Sequence, residues 1–263
     1  MIDSLLLFLI GMFAGVSGSI VGLGGGFIVV PSLAFLYPMI PAHIVGTSMA
    51  VLFFNSISST LAYARQKRID FSAGIAFAVA SIPGSILGAM TSERLSGKTF
   101  FVGFGCFLIF ISFFLVFKPK QPLRWPFEPT MHREFTDASG VAFKFSYHRP
   151  TGVAVSFFVG FLGALLGIGG GSLLVPTMVL LLTFPPHVAT ATSMFTIFLS
   201  AIIGTGTHWV YDNIDWWKVL FLAPGAFLGG QIGARIAHRL PGQLILRILA
   251  IMLVIVAVRL IMK

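Results

Sequence analysis

Gly15-Val-Ser-Gly18-Ser-Ile-Val-Gly22-Leu-Gly24-Gly25-Gly26-Phe-Ile-Val-Val-Pro31 decides how this chain folds, because it occurs twice. Gly160-Phe-Leu-Gly163-Ala-Leu-Leu-Gly167-Ile-Gly169-Gly170-Gly171-Ser-Leu-Leu-Val-Pro176 repeats the six glycines and the proline at a shift of 145 residues. Glycine is 29 of 263 residues and proline 14. A chance match of all seven at one placement is on the order of 10⁻⁷, so the chain contains an internal repeat. The repeat continues past the glycines. Pro41 aligns with Pro186, Thr47-Ser48-Met49 with Thr192-Ser193-Met194, and Asp70 with Asp215. Gly84 and Gly88 answer to Gly225 and Gly229 after a four-residue slip, which is undone where Arg94-Leu95-Ser96-Gly97 meets Arg239-Leu240-Pro241-Gly242.

Composition places the repeat in a membrane. Hydrophobic residues are 57% of the chain and charged residues 10%, with a mean hydropathy of +0.97. A soluble domain carries about 25% charged residues, so most of this surface faces lipid. Apolar cores at 44–64, 71–92, 99–117, 188–210, 216–234 and 248–258 approach or reach the length needed to cross hydrocarbon. The N-terminus, Met1-Ile-Asp3-Ser4, lacks the basic region of a signal peptide and reads as the start of the first span. The net charge of +9 does not point to nucleic acid, because the cations cluster at segment ends. A single cysteine, Cys106, excludes an intrachain disulfide and a cysteine metal site.

Each half divides into five helical elements, expected at 3–21, 25–37, 43–65, 69–92 and 97–117, then at 152–167, 171–184, 187–211, 214–238 and 242–262. The fold class is therefore an all-α polytopic membrane protein of two five-element repeats. Each repeat begins with a broken helix hairpin, two half-length arms joined at the glycine-rich turn. The domains are a first transmembrane repeat at 1–117, a cytoplasmic linker at 118–151 and a second transmembrane repeat at 152–263. Arg65-Gln66-Lys67-Arg68 closes the third element of the first half, whereas the matching turn, Tyr211-Asp212-Asn213-Ile214-Asp215, has no cation. Opposite charge at equivalent turns implies opposite sides of the membrane, hence inverted repeats with both termini outside. This arrangement leaves twelve Lys and Arg inside and five outside. The linker begins proline-rich at 118–129 and is expected to be extended there, and Phe143-Lys-Phe-Ser-Tyr147 alternates as a strand does. It reads as a tether between the halves.

The residues that can hold a ligand are neutral. A helix interrupted inside hydrocarbon survives only within protein or beside a polar cavity. Where a helix restarts, at 24–27 or 169–172, its first N–H groups have no internal partner, and with the dipole they form an anion site. Gly24, Gly25 and Gly26 in the first half, and Gly169, Gly170 and Gly171 in the second, allow the backbone to approach a ligand without a Cβ in the way. Packing alone is the competing reading, and the one preferred for Gly84, Gly88, Gly225 and Gly229. A dinucleotide fingerprint fails at Phe27, and no Lys-Ser/Thr follows to make a phosphate loop. Thr47, Ser48, Thr192 and Ser193 follow the hairpins, with Asn55 and Ser200 about two turns deeper. Such hydroxyls either line a ligand path or bond their own helix. Ser56, Ser58, Ser59 and Thr60 extend the polar face of the first half.

No Asp, Glu, Lys or Arg falls deep in a span, apart from Arg247 and Arg259 toward the ends of the last one. This favours an anion pathway over cation transport. The histidines His43, His187, His208 and His238 lie near helix ends. His208, beside Trp209, reads as a satisfied or interfacial histidine, with a gate or proton site as the alternative. Trp209, Trp216 and Trp217 read as an interfacial belt. No nucleophile–base pair or metal cluster is visible, so neither an enzyme nor a cofactor is expected.

The doubled glycine motif, each copy followed by Thr-Ser-Met, resembles the sulfite exporter TauE/SafE family over nearly the whole chain. The resemblance implies a multi-pass permease of the cytoplasmic (inner) membrane carrying sulfite, sulfoacetate or other organosulfonates. The partners expected are a small anionic substrate and the lipid bilayer, with a homo-oligomer also compatible. On this reading the anion sits between the two glycine turns, bound by backbone N–H groups and the Thr-Ser hydroxyls. An exporting carrier comes first, with an anion channel or an uptake permease as the alternatives.

Overall fold

The computed structural model describes residues 2–95, 97–116 and 128–237, then 239–241 and, as helix, Leu244, Arg247, Ala250, Ile251, Val254, Ile255, Ala257 and Val258. The proline-rich start of the linker to residue 127, His238, Gly242, Arg259 and most of the last expected element lie outside the described residues.

Up to Ala237 the described residues form nine helices and one hairpin, in the order the repeat dictates. In the first half α1 (Ile2–Val21) and α2 (Gly26–Leu36) meet at the glycine turn, followed by α3 (Pro41–Arg65), α4 (Phe71–Ser92) and α5 (Gly97–Val116). Strands β1 (Met131–Thr136) and β2 (Ala142–Tyr147) form an antiparallel pair. The second half runs α6 (Arg149–Leu166), α7 (Gly171–Leu180), α8 (Pro186–Val210) and α9 (Trp216–Ala237). Six of these, α1, α3, α4, α6, α8 and α9, are long and apolar enough to cross a membrane.

One expectation fails in length. Only α2 and α7 are half-length, with 11 and 10 residues, whereas α1 has 20 and α6 has 18. The apolar run of α1 begins at Ile2, and α6 is started early by His148, whose ring accepts from the Thr151 N–H, with proline in its first turn. Proline also opens α3 and α8, where its missing donor costs nothing. The strand expected near 143–147 is present and has a partner.

Glycine sets how the helices pack. A Cβ on Gly84 or Gly88 of α4 would lie 2.1 or 2.2 Å from the Phe157 or Phe161 carbonyl oxygen of α6. On α9, Gly225 and Gly229 meet the Phe8 and Met12 carbonyls of α1 at 2.1 and 2.3 Å. The packing reading of these four glycines is correct, and it is reciprocal, because α4 pairs with α6 as α9 pairs with α1.

The central helices α3 and α8 run antiparallel. The Thr47 Oγ1, near the start of α3, accepts from the Asp215 N–H after α8, and Thr192 Oγ1, near the start of α8, accepts from the Asp70 N–H after α3. The α1–α2 hairpin opens toward the Asp215 end, where the Lys218 ammonium lies 4.8 Å from the Tyr37 ring centre. Burial and the Asp3 carboxylate raise the pKa of Tyr37, which places the start of α1 at that same end. The α6–α7 hairpin opens toward the opposite end, where Phe184 packs 4.4 Å from Phe145 of β2 and Thr183 Oγ1 donates to the Ser146 carbonyl.

The described part of the linker docks on the bundle. Arg68 donates through Nε and Nη2 to Asp137 Oδ2, at 2.9 and 2.7 Å, and Arg133 of β1 pairs with Asp70 at 3.0 Å. Burial pushes the Asp137 carboxyl up, but Arg68 and the Val141 and Ser139 donors outweigh it and hold its pKa down at about 2. Asp70 also accepts from the Ala73 N–H and so caps α4.

Candidate functional site

The two glycine turns meet at the centre of the molecule. Gly22, Gly24 and Gly25 have φ of 82°, 78° and 92°, and Gly167, Gly169 and Gly170 have 71°, 68° and 72°. A residue with a Cβ adopts that region at a cost of about 1–2 kcal/mol. Space is equally restrictive. A Cβ on Gly26 would stand 2.4 Å from the Gly167 oxygen, and one on Gly171 would stand 2.4 Å from the Gly22 oxygen. Each turn is thus the wall against which the other half's short helix begins.

Backbone donors remain open at both turns. The N–H groups of Gly22, Leu23 and Gly24 bond the Gly18 carbonyl, and those of Ile168 and Gly169 bond the Gly163 carbonyl. Among the described residues, no acceptor meets the N–H of Gly25, Gly26 or Phe27, or of Gly170, Gly171 or Ser172. The Ser172 hydroxyl, fully buried, is also unpartnered. These donors coincide with the restart segments read from the sequence, and each short helix adds its positive dipole end.

Leu52 and Ile197, equivalent residues of α3 and α8, close the space between the turns. A Cβ on Gly24 would meet Leu52 at 2.3 Å and Ile197 at 3.6 Å, and one on Gly169 would meet them at 2.6 and 3.2 Å. Sequence reading passed over both, since an aliphatic residue in an apolar helix carries no signal of its own.

The Thr-Ser pairs are used between the halves. Ser48 Oγ donates to the Gly167 carbonyl at 2.7 Å and Ser193 Oγ donates to the Gly22 carbonyl at 2.8 Å. With Thr47 and Thr192 on the two aspartate turns, all four hydroxyls stitch one half to the other.

Beyond the turns the halves differ. On the first side, Asn55 Nδ2 donates to the Gly24 carbonyl at 2.7 Å, Ser19 donates to Asn55 Oδ1, Ser59 donates to the Asn55 carbonyl, and Tyr63 donates to the Ser19 carbonyl. Ser58 and Gln231 extend this network to α9. All four side chains are buried. On the second side a small cavity of about 10 Å³ lies among α3, α4, α6, α7 and α8, lined by five hydroxyls (Ser81, Ser85, Ser156, Thr196 and Ser200) together with Gly169 and Met49. That volume holds about one water molecule. Ser200 donates only to the Ile197 carbonyl of its own helix. Ser81, Ser85, Ser156 and Thr196 were not singled out in the sequence, although Ser81 and Ser85 are one helical turn apart and so share a face.

Of the other marked residues, Cys106 is exposed, and Trp209, Trp216 and Trp217 expose much of their surface, as an interfacial belt requires. His208 is fully buried in the last turn of α8, its ring beside the Ala164 carbonyl with no hydrogen bond of regular geometry at either nitrogen.

Comparison with known proteins agrees with this architecture. Residues 7–260 match the family described as Sulfite exporter TauE/SafE. The chain is 42% identical to the probable membrane transporter protein YunE of Bacillus subtilis, over 97% of this chain and 96% of that protein. It is 28% identical to the probable membrane transporter protein ORF9 of a Sinorhizobium species over 97% and 90%, and 30% identical to the probable membrane transporter protein MJ0441 of Methanocaldococcus jannaschii over 76% and 70%. No solved structure matches the chain significantly. The chain is a membrane transporter and belongs to the sulfite exporter TauE/SafE family.

Proposed function

We propose that this protein is a secondary transporter that moves small sulfur-containing anions, sulfite or organosulfonates, outward across the cytoplasmic membrane. One observation carries the reading. Two sets of unpaired backbone donors converge at the centre of the bundle, and five hydroxyls line the cavity beside one of them. No Asp, Glu, Lys or Arg lines that cavity. Neutral donors in a low-dielectric interior can bind an anion and release it again, because no fixed opposite charge traps it. A sulfonate or sulfite offers three acceptor oxygens to such a set.

A carrier is favoured over a channel by the closure of the site. Leu52 and Ile197 fill the gap between the turns, and the hydroxyl-lined cavity has room for one water. Transport then requires that α3 and α8, carrying these two plugs, move with respect to the turns. Gly24 to Phe27 with Asn55, and Gly169 to Ser172 with Ser200, are the two faces of the binding site, used in turn as the halves rock. Thr47, Ser48, Thr192 and Ser193 guide that motion, since each bonds the opposite half.

We further infer that the repeats are inverted across the membrane. The antiparallel α3 and α8 and the opposite openings of the two hairpins support this, as does the excess of Lys and Arg on the β-hairpin side. A C-terminal reporter active only in the cytoplasm should stay silent, and a strong signal rejects this orientation. Binding of sulfite, sulfate, sulfoacetate and taurine to the purified protein, followed by heat release, tests the substrate class. Saturable binding of sulfite or sulfoacetate is expected, and failure of the whole panel rejects it.

A further inference from the structure

We infer that His208 is a proton-binding site coupled to the transport cavity, so that the carrier moves a proton together with its anion. The inference rests on the transport reading above. The stripe Thr196, Ser200, Gly204 and His208 lies on one face of α8 at spacings of four residues. Thr196 and Ser200 line the cavity, as does Met49, whose Cε a Cβ on Gly204 would meet at 2.4 Å. The His208 ring faces the carbonyl of Ala164, and Ala164 also lines the cavity. Gly204, Ala164 and the flexible Met49 thioether therefore separate the imidazole from the hydroxyl-lined space.

Its equivalent in the first half shows what a purely structural residue does there. Tyr63 occupies the matching place on α3, and its hydroxyl donates to Ser19, the match of Ala164, at 2.7 Å. His208 has the same position and burial but no such bond of regular geometry. A buried, titratable ring in a membrane helix with no hydrogen bond of regular geometry is costly and marks function by default.

The charges at this end of the bundle are engaged elsewhere or lie on its rim. Glu93, after α4, accepts from Asn213, and Asp215 pairs with Lys218 of α9. Arg94, Lys98 at the start of α5, His43 in the first turn of α3, Tyr211 and Asp212 after α8, Tyr37 after α2 and Asp3 of α1 are the other titratable groups there. The only ionisable residue of α6, Arg149, stands at its opposite start, and α7 has none. No carboxylate makes an ion pair with the ring. Protonation therefore puts an uncompensated positive charge next to the cavity, which an entering anion neutralises. The imidazole takes its proton from water in the cavity when that opens to the cytoplasmic side and returns it to water on the α8 C-terminal side, so the proton moves outward with the anion. One proton and one anion cross together.

The test uses full-length protein in vesicles that enclose a pH-sensitive dye, with sulfoacetate and sulfite as the anions. Net flux in the wild type should carry protons, and a gradient of about one pH unit should drive about tenfold accumulation at one-to-one coupling. His208→Tyr, which installs the hydroxyl found in the other half, should lose this response while one-for-one anion exchange continues at a measurable rate. If that variant does not insert, His208→Gln is read in the same way. Anion transport without proton movement in the wild type, or an unchanged proton response in a variant, overturns the role of His208 alone. Transport of neither anion by the wild type rejects the underlying transport reading instead.

Discussion

The two halves share a backbone plan and differ in what stands beyond each glycine turn. On one side Ser19, Asn55, Ser59 and Tyr63 form a bonded polar plug. On the other side the equivalent residues are Ala164, Ser200, Gly204 and His208, and there is a small cavity in place of the plug. Trading three hydroxyl-bearing or amide residues for smaller ones, and a tyrosine for a histidine, removes the bonds and leaves space. Duplication thus supplied two equal frames, and side-chain divergence made one of them tight and left a small hydroxyl-lined cavity in the other. The β-hairpin deepens the asymmetry, since Asp70 is clamped by Arg133 from the linker while Asp215 is held by Lys218 on its own helix.

Rebuilding the plug in the second half is the strongest way to break this comparison. Ala164→Ser, Ser200→Asn and Gly204→Ser combined should fill the cavity and lower flux at least about tenfold, a barrier change of about 1.4 kcal/mol, with membrane insertion retained. Flux equal to wild type would show that the cavity is not on the path. Arg68→Gln should destabilise the purified protein by about 3–5 kcal/mol, because it leaves Asp137 buried without its partner. Lys144→Gln, in an exposed pair with Glu134, should cost at most about 1 kcal/mol in the same thermal unfolding measurement. Asn55→Ala leaves the buried Gly24 carbonyl without its donor and should cost about 1–3 kcal/mol. Ser200→Ala loses one bond within its own helix, costs under about 1 kcal/mol, and should alter flux more than stability. Equal costs for Asn55→Ala and Ser200→Ala would erase the distinction between plug and cavity.

Acid should separate the two ends as well. The folded pKa of Asp137 lies below its ordinary 3.8, so its contribution is fully present above that value and is lost as pH falls toward about 2. Hydrogen exchange over 131–147 should accelerate in that window. Protection that is unchanged down to pH 2 would show that the Arg68 pair does not hold the hairpin.

Much of this was legible in the chain. The glycine pattern located both turns, because only glycine serves where φ is positive and another backbone sits within 3 Å. The packing role of Gly84, Gly88, Gly225 and Gly229 followed from their spacing. The Thr-Ser pairs announced themselves by duplication, but not their partners, which lie across the molecule on the other half's turn. The cavity serines were hidden for a related reason. Helical spacing tells which residues share a face, but not which neighbour that face will meet. Nor did anything in Leu52 or Ile197 distinguish a plug from an ordinary core residue. The docking of the linker depends on Arg68 meeting Asp137 across 69 positions, a pairing that no local pattern encodes.

The central claim is that anions pass by the two glycine turns, and the most direct measurement is sulfite and sulfoacetate flux through vesicles carrying Gly25→Val or Gly170→Val. Each change puts a side chain at positive φ, with its Cβ about 2.5 Å from the Ala14 carbonyl oxygen or 2.7 Å from Val159. Both variants should insert into the membrane and both should lose transport. Wild-type flux from both would contradict the account.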